Sequence, residues 1–297
     1  MASLKKKNRD FNIARDGGLP HAEQFFGLPD IKDFNPSSDV VFVSIDLEVS
    51  REERSKAGVP LVREFGIATL DTRHLRCPAS PSVAIKPILT QQFSTSHAFK
   101  DFLDCDVTDF KECVFAETFF VSQIDLPTTI TTCLQIQDDI SCNPHTLRNI
   151  VIIGHSIKSD LKILQRLGVD VYDTALVLAI LDTDHIARKL LGPHSPTPMT
   201  CFKLGALLTE LKCLYESSDL HNAGNDATYT LHALLMLVIR SSESRELGLM
   251  QRENLERLWA VARMELYDCQ RWTPTRKSLG FYAPGSPVEG NLNAWTN

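Results

Sequence analysis

The sequence contains no apolar run approaching the roughly 18–20 residues that a bilayer-spanning helix needs. Its longest candidate, Leu231 to Ile239, is short and carries His232. The basic start, Met1-Ala2-Ser3-Leu4-Lys5-Lys6-Lys7, is followed by no apolar stretch, so no secretory signal is expected. Both absences predict a soluble intracellular protein, cytoplasmic or nuclear, with no membrane partner. The eight cysteines (77, 105, 113, 133, 142, 201, 213 and 269) include no Cys-x-x-Cys pair, which argues against a zinc site and predicts reduced thiols. There is no excess of positive charge either. The net charge is −6, which excludes recognition of a polyanion through a broad basic face. Any such contact must be local, and clustered carboxylates that recruit cations would fit that constraint.

What is present is ordinary globular material: 43% hydrophobic and 23% charged residues in 297, enough for a sizeable core. Residues 1–38 read as a flexible N-terminal arm, with Lys5-Lys6-Lys7, Gly17-Gly18, Pro20 and Asn35-Pro36-Ser37-Ser38. The folded domain is expected over 39–242, followed by a C-terminal helix and loose tail over 243–297. Val40 to Ile45 is almost continuously apolar and suits a central strand covered on both faces. Arg63 to Leu70 predicts a second strand and Ser82 to Leu89 a third, forming an antiparallel meander. Residues 74–148 are hard to read apart from a helix start at Leu126-Pro127. Asn149 to Gly154 predicts a buried strand, and Ser156 a cap for the helix carrying Ile157, Leu161, Leu164 and Leu167. Val169 to Thr174 is expected as a short strand and Ala175 to Leu181 as a helix, with Asp173 as its N-cap. Helices are predicted over Phe202 to Leu211 and Ala223 to Ile239, the latter with Leu231, Leu234, Leu235 and Val238 on one face. Strands followed by alternating strands and helices define an α/β fold: a mixed sheet with helices on both faces.

Three short motifs carry the chemistry. In Asp46-Leu47-Glu48, strand alternation projects both carboxylates from one face. Two adjacent acids at a buried strand end call for a cation, and an all-oxygen donor set suits magnesium or manganese. On its own, Asp-x-Glu also fits an exposed strand end. In Gly154-His155-Ser156-Ile157-Lys158-Ser159-Asp160, Asp160 falls in the first turn of a helix, where the dipole alone would favour it. His155 reads as a residue that holds the loop rather than as a base. In His221-Asn222-Ala223-Gly224-Asn225-Asp226, continuous helix would put His221 and Asp226 about 140° apart. His221 is therefore expected on the loop before the helix, where it could take a proton from an attacking water. Lys158, Lys162 and Arg166 form a stripe that could track phosphates but reads first as a solvated helix face.

In order and spacing, Asp46 and Glu48, Gly-His-x4-Asp ending at Asp160, and His-x4-Asp from His221 to Asp226 resemble the DEDDh exonucleases of the ribonuclease H-like superfamily. Position 222 is Asn where the related tyrosine branch has its tyrosine. The wording around Val62-Arg63-Glu64-Phe65-Gly66-Ile67-Ala68-Thr69-Leu70-Asp71-Thr72 and His221 to Ala227 looks closest to a fungal subgroup linked to an mRNA-export DEAD-box helicase. The resemblance covers about residues 40–240. It implies a 3′–5′ exonuclease that hydrolyses RNA or single-stranded DNA to nucleoside 5′-monophosphates, with RNA favoured over DNA. It further implies two Mg2+ or Mn2+ ions held by Asp46, Glu48, Asp160 and Asp226, with His221 as general base. The alternative is a catalytically silent RNA-binding or scaffold protein with the same fold; an endonuclease of this fold would cut circular substrates. One departure stands out: about 110 residues separate the first and second motifs, which predicts an insertion within 74–148.

Overall fold

The computed structural model describes residues 11–28, 39–54, 60–76, 87–95, 111–143, 145–192, 201–243 and 245–267. Its strands are β1 (Val41–Arg54), β2 (Pro60–Asp71), β3 (Ile88–Thr95), β4 (Thr118–Val121), β5 (Asn149–Gly154) and β6 (Leu176–Asp182). The α-helices are α1 (Leu19–Phe25), α2 (Thr72–Arg76), α3 (Leu126–Leu134), α4 (Lys158–Leu167) and α5 (Val171–Thr174). They continue with α6 (Thr183–Leu190), α7 (Leu204–Glu210), α8 (Ala223–Ser242) and α9 (Leu249–Tyr267). The six strands form one mixed sheet in the order β4-β3-β2-β1-β5-β6. The meander β1-β2-β3 is antiparallel, and β4, β5 and β6 each pair in parallel with a neighbour. This is the ribonuclease H-like α/β architecture.

Alternation along the strands builds two cores. Val40, Phe42, Ala68, Leu70, Val151 and Ile153 pack beneath Leu231, Leu234, Leu235 and Val238 of α8. Val41, Val43, Ile45, Ile67, Ile150 and Ile152 pack on the opposite face against Ile130, Leu134, Leu161 and Leu164. The helix α8 is buried almost all round, because α6, α7 and α9 surround it on the side away from the sheet. Its N-terminus lies directly on the β2 backbone at Gly66, where a Cβ would meet the carbonyl oxygen of Ala223 at 1.9 Å. Only a residue without a side chain permits that approach.

Four expectations are corrected. Residues 11–28 of the supposed arm are part of the fold: Ile13 bridges to Ile180, and Ala22, Phe26 and Leu28 are buried in the core. Phe26 stacks on Phe42 at 4.5 Å. The breakers there shape structure rather than disrupt it. Gly17 and Gly18 take positive φ, and Pro20 sits in the first turn of α1. The third strand runs from Ile88 to Thr95, so that Ser82 to Leu89 overlaps it only at its end, and residues 82–86 lie outside the described residues. Its centre, Thr90-Gln91-Gln92, is polar and hid it from a hydrophobic reading. The order of elements between 169 and 182 is also reversed. Asp170 caps the short helix α5 through the Tyr172 N–H at 3.0 Å, so Asp173 is not an N-cap. The apolar run Leu176 to Leu181 pairs with β5 as a strand rather than forming a helix. Such a run fits either structure, and pairing with β5 decides it.

Residues 243–267 contribute α9, which buries Leu258, Val261 and Ala262 against the first core. The stretch 74–148 supplies β3, β4 and α3. Five cysteines (113, 133, 142, 201 and 213) are free; 77, 105 and 269 lie outside the described residues. The lysine-rich start, residues 193–200 and residues 268–297 also lie outside them. Among the described residues no helix is long and apolar enough to cross a membrane.

The Gly66 contact yields a first test. Gly66→Ala is expected to destabilise the chain by on the order of 1–3 kcal/mol or more, because backbone rather than a pliable side chain must move. Denaturant unfolding measures this, and an unchanged midpoint would contradict the close seating of α8 on β2.

Candidate active site

Asp46 and Glu48 continue the face of β1 that carries Phe42, and so turn toward the N-terminus of α8. The β1–β2 register shifts immediately after Glu48, an irregularity that bends a strand and re-aims its side chains. Across the pair, Asp46 is opposite Gly66 and Glu48 opposite Glu64. The glycine that admits α8 therefore also brings Asp226, in the first turn of that helix, to the acids of β1.

Asp160 arrives from the other side, in the first turn of α4. It is 8% exposed, and its carboxylate accepts from its own backbone N–H and from that of Leu47. The loop before it is built by a polar network. Ser156 has φ 60 and donates its backbone N–H to Asp182 Oδ1 at 3.0 Å, so it shapes the turn and does not cap α4. The ring of His155 is fixed between Thr183 Oγ1 at 2.9 Å and the Phe202 carbonyl oxygen at 2.6 Å, and burial pushes its pKa down. It holds the loop.

Asp226 is also 8% exposed. Its Oδ2 accepts the backbone N–H of His221 at 3.0 Å, while its buried Oδ1 has no hydrogen-bond partner among the described residues. His221 lies just before α8 with φ 64 and an 80% exposed side chain. Its Nδ1 is 3.9 Å from Glu48 Oε1. Donor atoms of Glu48, His221 and Asp226 all lie within 4.8 Å of one another, close enough to share an ion.

Electrostatics joins Asp46 and Asp160 to that group. Burial, then the charges of Asp160, Asp226, Glu48 and Glu64, hold the Asp46 carboxyl well above the usual aspartate range. Burial is likewise the largest cause at Asp160 and at Asp226, each pushed up to about 7. The four acids and the histidine singled out from the sequence are thus brought together at one end of the sheet. The exposed Lys158, Lys162 and Arg166 form a solvated face of α4.

One acid escaped the sequence reading. Glu64 is 5% exposed, and its Oε2 accepts from the Ala223 N–H and from Gln92 Nε2, at 3.0 and 3.1 Å. It ties β2 and β3 to the first turn of α8. Its signal was alternation, because Glu64 shares a face with Gly66, Ala68 and Leu70 and so had to point inward.

A cluster of buried acids with raised pKa values and an orphaned carboxylate oxygen suits divalent cations, and the donors (oxygens, with one imidazole) suit magnesium or manganese. The comparisons with known proteins agree with this geometry. A family model described as the C-terminal domain of DNA polymerase III subunit epsilon-like proteins, DEDDh_C, matches residues 41–237. The chain belongs to this DEDDh family. An uncharacterized protein of Saccharomyces cerevisiae, YDR514C, is 26% identical over 229 residues, covering 73% of this chain and 45% of the yeast protein. The chain therefore spans less than half the length of that relative.

The raised pKa values give a stability prediction with a definite sign. Asp160 and Asp226 bind protons more tightly in the fold than in the unfolded chain, so without metal their contribution is full on the acid side and is lost as pH rises through about 7. The melting temperature of chelator-treated protein is expected to fall between about pH 5 and 8, and manganese to restore it at the upper end. A melting temperature that climbs over this range, or ignores manganese, would contradict the assignment.

Proposed function

We propose that the chain is a metal-dependent 3′–5′ exonuclease that hydrolyses phosphodiester bonds to release nucleoside 5′-monophosphates. The observation that carries this reading is the convergence of Asp46, Glu48, Asp160 and Asp226, with an exposed histidine 3.9 Å from Glu48, in a chain of the DEDDh family. Residues 39–242 are proposed as the nuclease domain, with 74–148 as an enlarged segment within it and 243–297 as an appended part.

Asp46, Glu48, Asp160 and Asp226 would hold two magnesium or manganese ions. Bound ions supply positive charge to the attacking and leaving oxygens of an in-line displacement. By holding those ions, the carboxylates would place the reacting phosphate at the end of the sheet, which on their own they would repel. With Nδ1 of His221 turned to Glu48, its Nε2 is the nitrogen left to take the proton of the attacking water. The ring is exposed, so it can lose that proton to solvent before the next turnover.

RNA is proposed as the substrate in preference to DNA, and a cytoplasmic or nuclear setting with it. The preference for RNA rests on the resemblance to the fungal subgroup, and the likeness to a yeast protein supports the fungal placement.

Two experiments test the reading. Linear RNA and DNA labelled at either end are expected to shed mononucleotides from the 3′ terminus only, with magnesium required and circular substrates resistant. Cleavage of circles would replace an exonuclease with an endonuclease. Asp46→Ala should abolish turnover with the fold intact by circular dichroism, and His221→Ala should lower kcat by roughly 10²–10⁴-fold. Full activity in Asp46→Ala would end the proposal.

A further inference from the structure

The stretch between the first and second motifs does more than extend the sheet. Residues 111–115 lie along the start of α8 and bond to the loop that carries His221. Lys111 holds both neighbours of that histidine. Its Nζ donates to the Leu220 carbonyl oxygen at 2.5 Å, and its own carbonyl oxygen accepts from Asn222 Nδ2 at 3.0 Å. Asn225, fully buried, ties the same segment down. Its Nδ2 donates to the carbonyls of Glu112 and Asp219, and its Oδ1 accepts the Val114 N–H at 2.8 Å. Phe115 then packs edge-on against Tyr229 of α8, with ring centroids 5.2 Å apart.

His221 needs such support. At φ 64 it occupies a left-handed conformation that non-glycine residues rarely adopt, and one that persists only where the surroundings enforce it. That backbone aims the His221 N–H at Asp226 Oδ2 and leaves the ring beside Glu48. Released from its flanks, an 80% exposed histidine on a short loop would relax to commoner dihedrals and move the imidazole away from the acids.

We propose that Lys111 is a positioning residue, which clamps Leu220 and Asn222 and so holds His221 in its strained, productive pose. The segment 111–114 thereby makes the enlarged region part of the machinery that places the base. The inference rests on the reading of His221 as general base given above, and it deepens that reading by adding a residue that acts through the histidine.

The test uses the full chain with Lys111→Met, Lys111→Arg, His221→Ala and the double variant Lys111→Met/His221→Ala. Lys111→Met is expected to lower kcat on single-stranded RNA by roughly ten- to a hundredfold with KM unchanged, whereas Lys111→Arg retains most of the rate. In the His221→Ala background Lys111→Met should cost nothing further. An undiminished second loss, or a rise in KM of the same factor, would show that Lys111 acts on the substrate or on Asp226, whose carboxylate its charge also reaches, and would overturn the clamp. Backbone amide exchange gives a readout independent of catalysis. Exchange at His221 should accelerate by about tenfold or more in Lys111→Met, while the amides of Val43 and Ile152 in the sheet stay protected. Unchanged exchange at His221 overturns the proposal even if every variant is active. Accelerated exchange in a chain with no nuclease activity would uphold the clamp and refute the function.

Discussion

Carboxylates withdrawn from water repel one another, and this chain gathers five at one end of its sheet: Glu64, Asp160 and Asp226 buried, Asp46 and Glu48 half-buried. Taking an ionised acid out of water is costly, and placing a second beside it raises the cost. The fold relieves this only in part. Leu47 and the first turn of α4 donate to Asp160, the His221 N–H donates to Asp226, and Ala223 with Gln92 donates to Glu64. What remains is held as raised proton affinity at Asp46, Asp160 and Asp226 and as an orphaned oxygen on Asp226. A divalent cation would satisfy all of these at once. The resting site is therefore strained in the sense that favours ion capture.

The backbone arrangement that imposes this crowding is compact. Gly66 lets α8 rest on β2, Glu64 caps the first N–H of that helix from the strand, and Asn222 caps its third. Helix and sheet are thus joined through backbone polar groups at the very point where Asp226 meets Asp46. The helix interior then follows from burial: α8 lies between the sheet and three further helices, which fixes its axis and so the position of its first turn. On the other side, the Asp182–Ser156 and His155–Phe202 contacts hold the loop that delivers Asp160. Each ligand candidate is carried by an element whose end is pinned independently.

Much of this was legible in the amino-acid order. Val40 to Ile45, Asn149 to Gly154 and Ala223 to Ile239 have hydrophobic patterns that fit one element type each, and the three acidic motifs adjoin them, although β1 runs on through Asp46 and Glu48 to Arg54 rather than ending there. The order and spacing of those three motifs pointed to the same DEDDh family as the match over 41–237. What was illegible has physical causes. Leu176 to Leu181 is apolar throughout, and only pairing with β5 makes it a strand. Ile88 to Thr95 is polar at its centre because Gln92 serves Glu64 rather than the core. Residues 11–28 carry glycines and a proline that look like breakers until Ile186 and Leu181 are seen pressed against Gly17 and Gly18. Lys111 could not have been found at all, because its partners Leu220 and Asn222 lie more than a hundred positions away.

The central claim is that these side chains form a divalent-ion site whose occupation displaces protons. Calorimetric titration of the metal-free chain with manganese, run near pH 7 in two buffers of different ionisation enthalpy, measures stoichiometry and proton release together. The account predicts two ions per chain, net release of protons, and loss of both signals in Asp46→Asn. Binding that is absent, or that proceeds without proton release and survives Asp46→Asn, would contradict it.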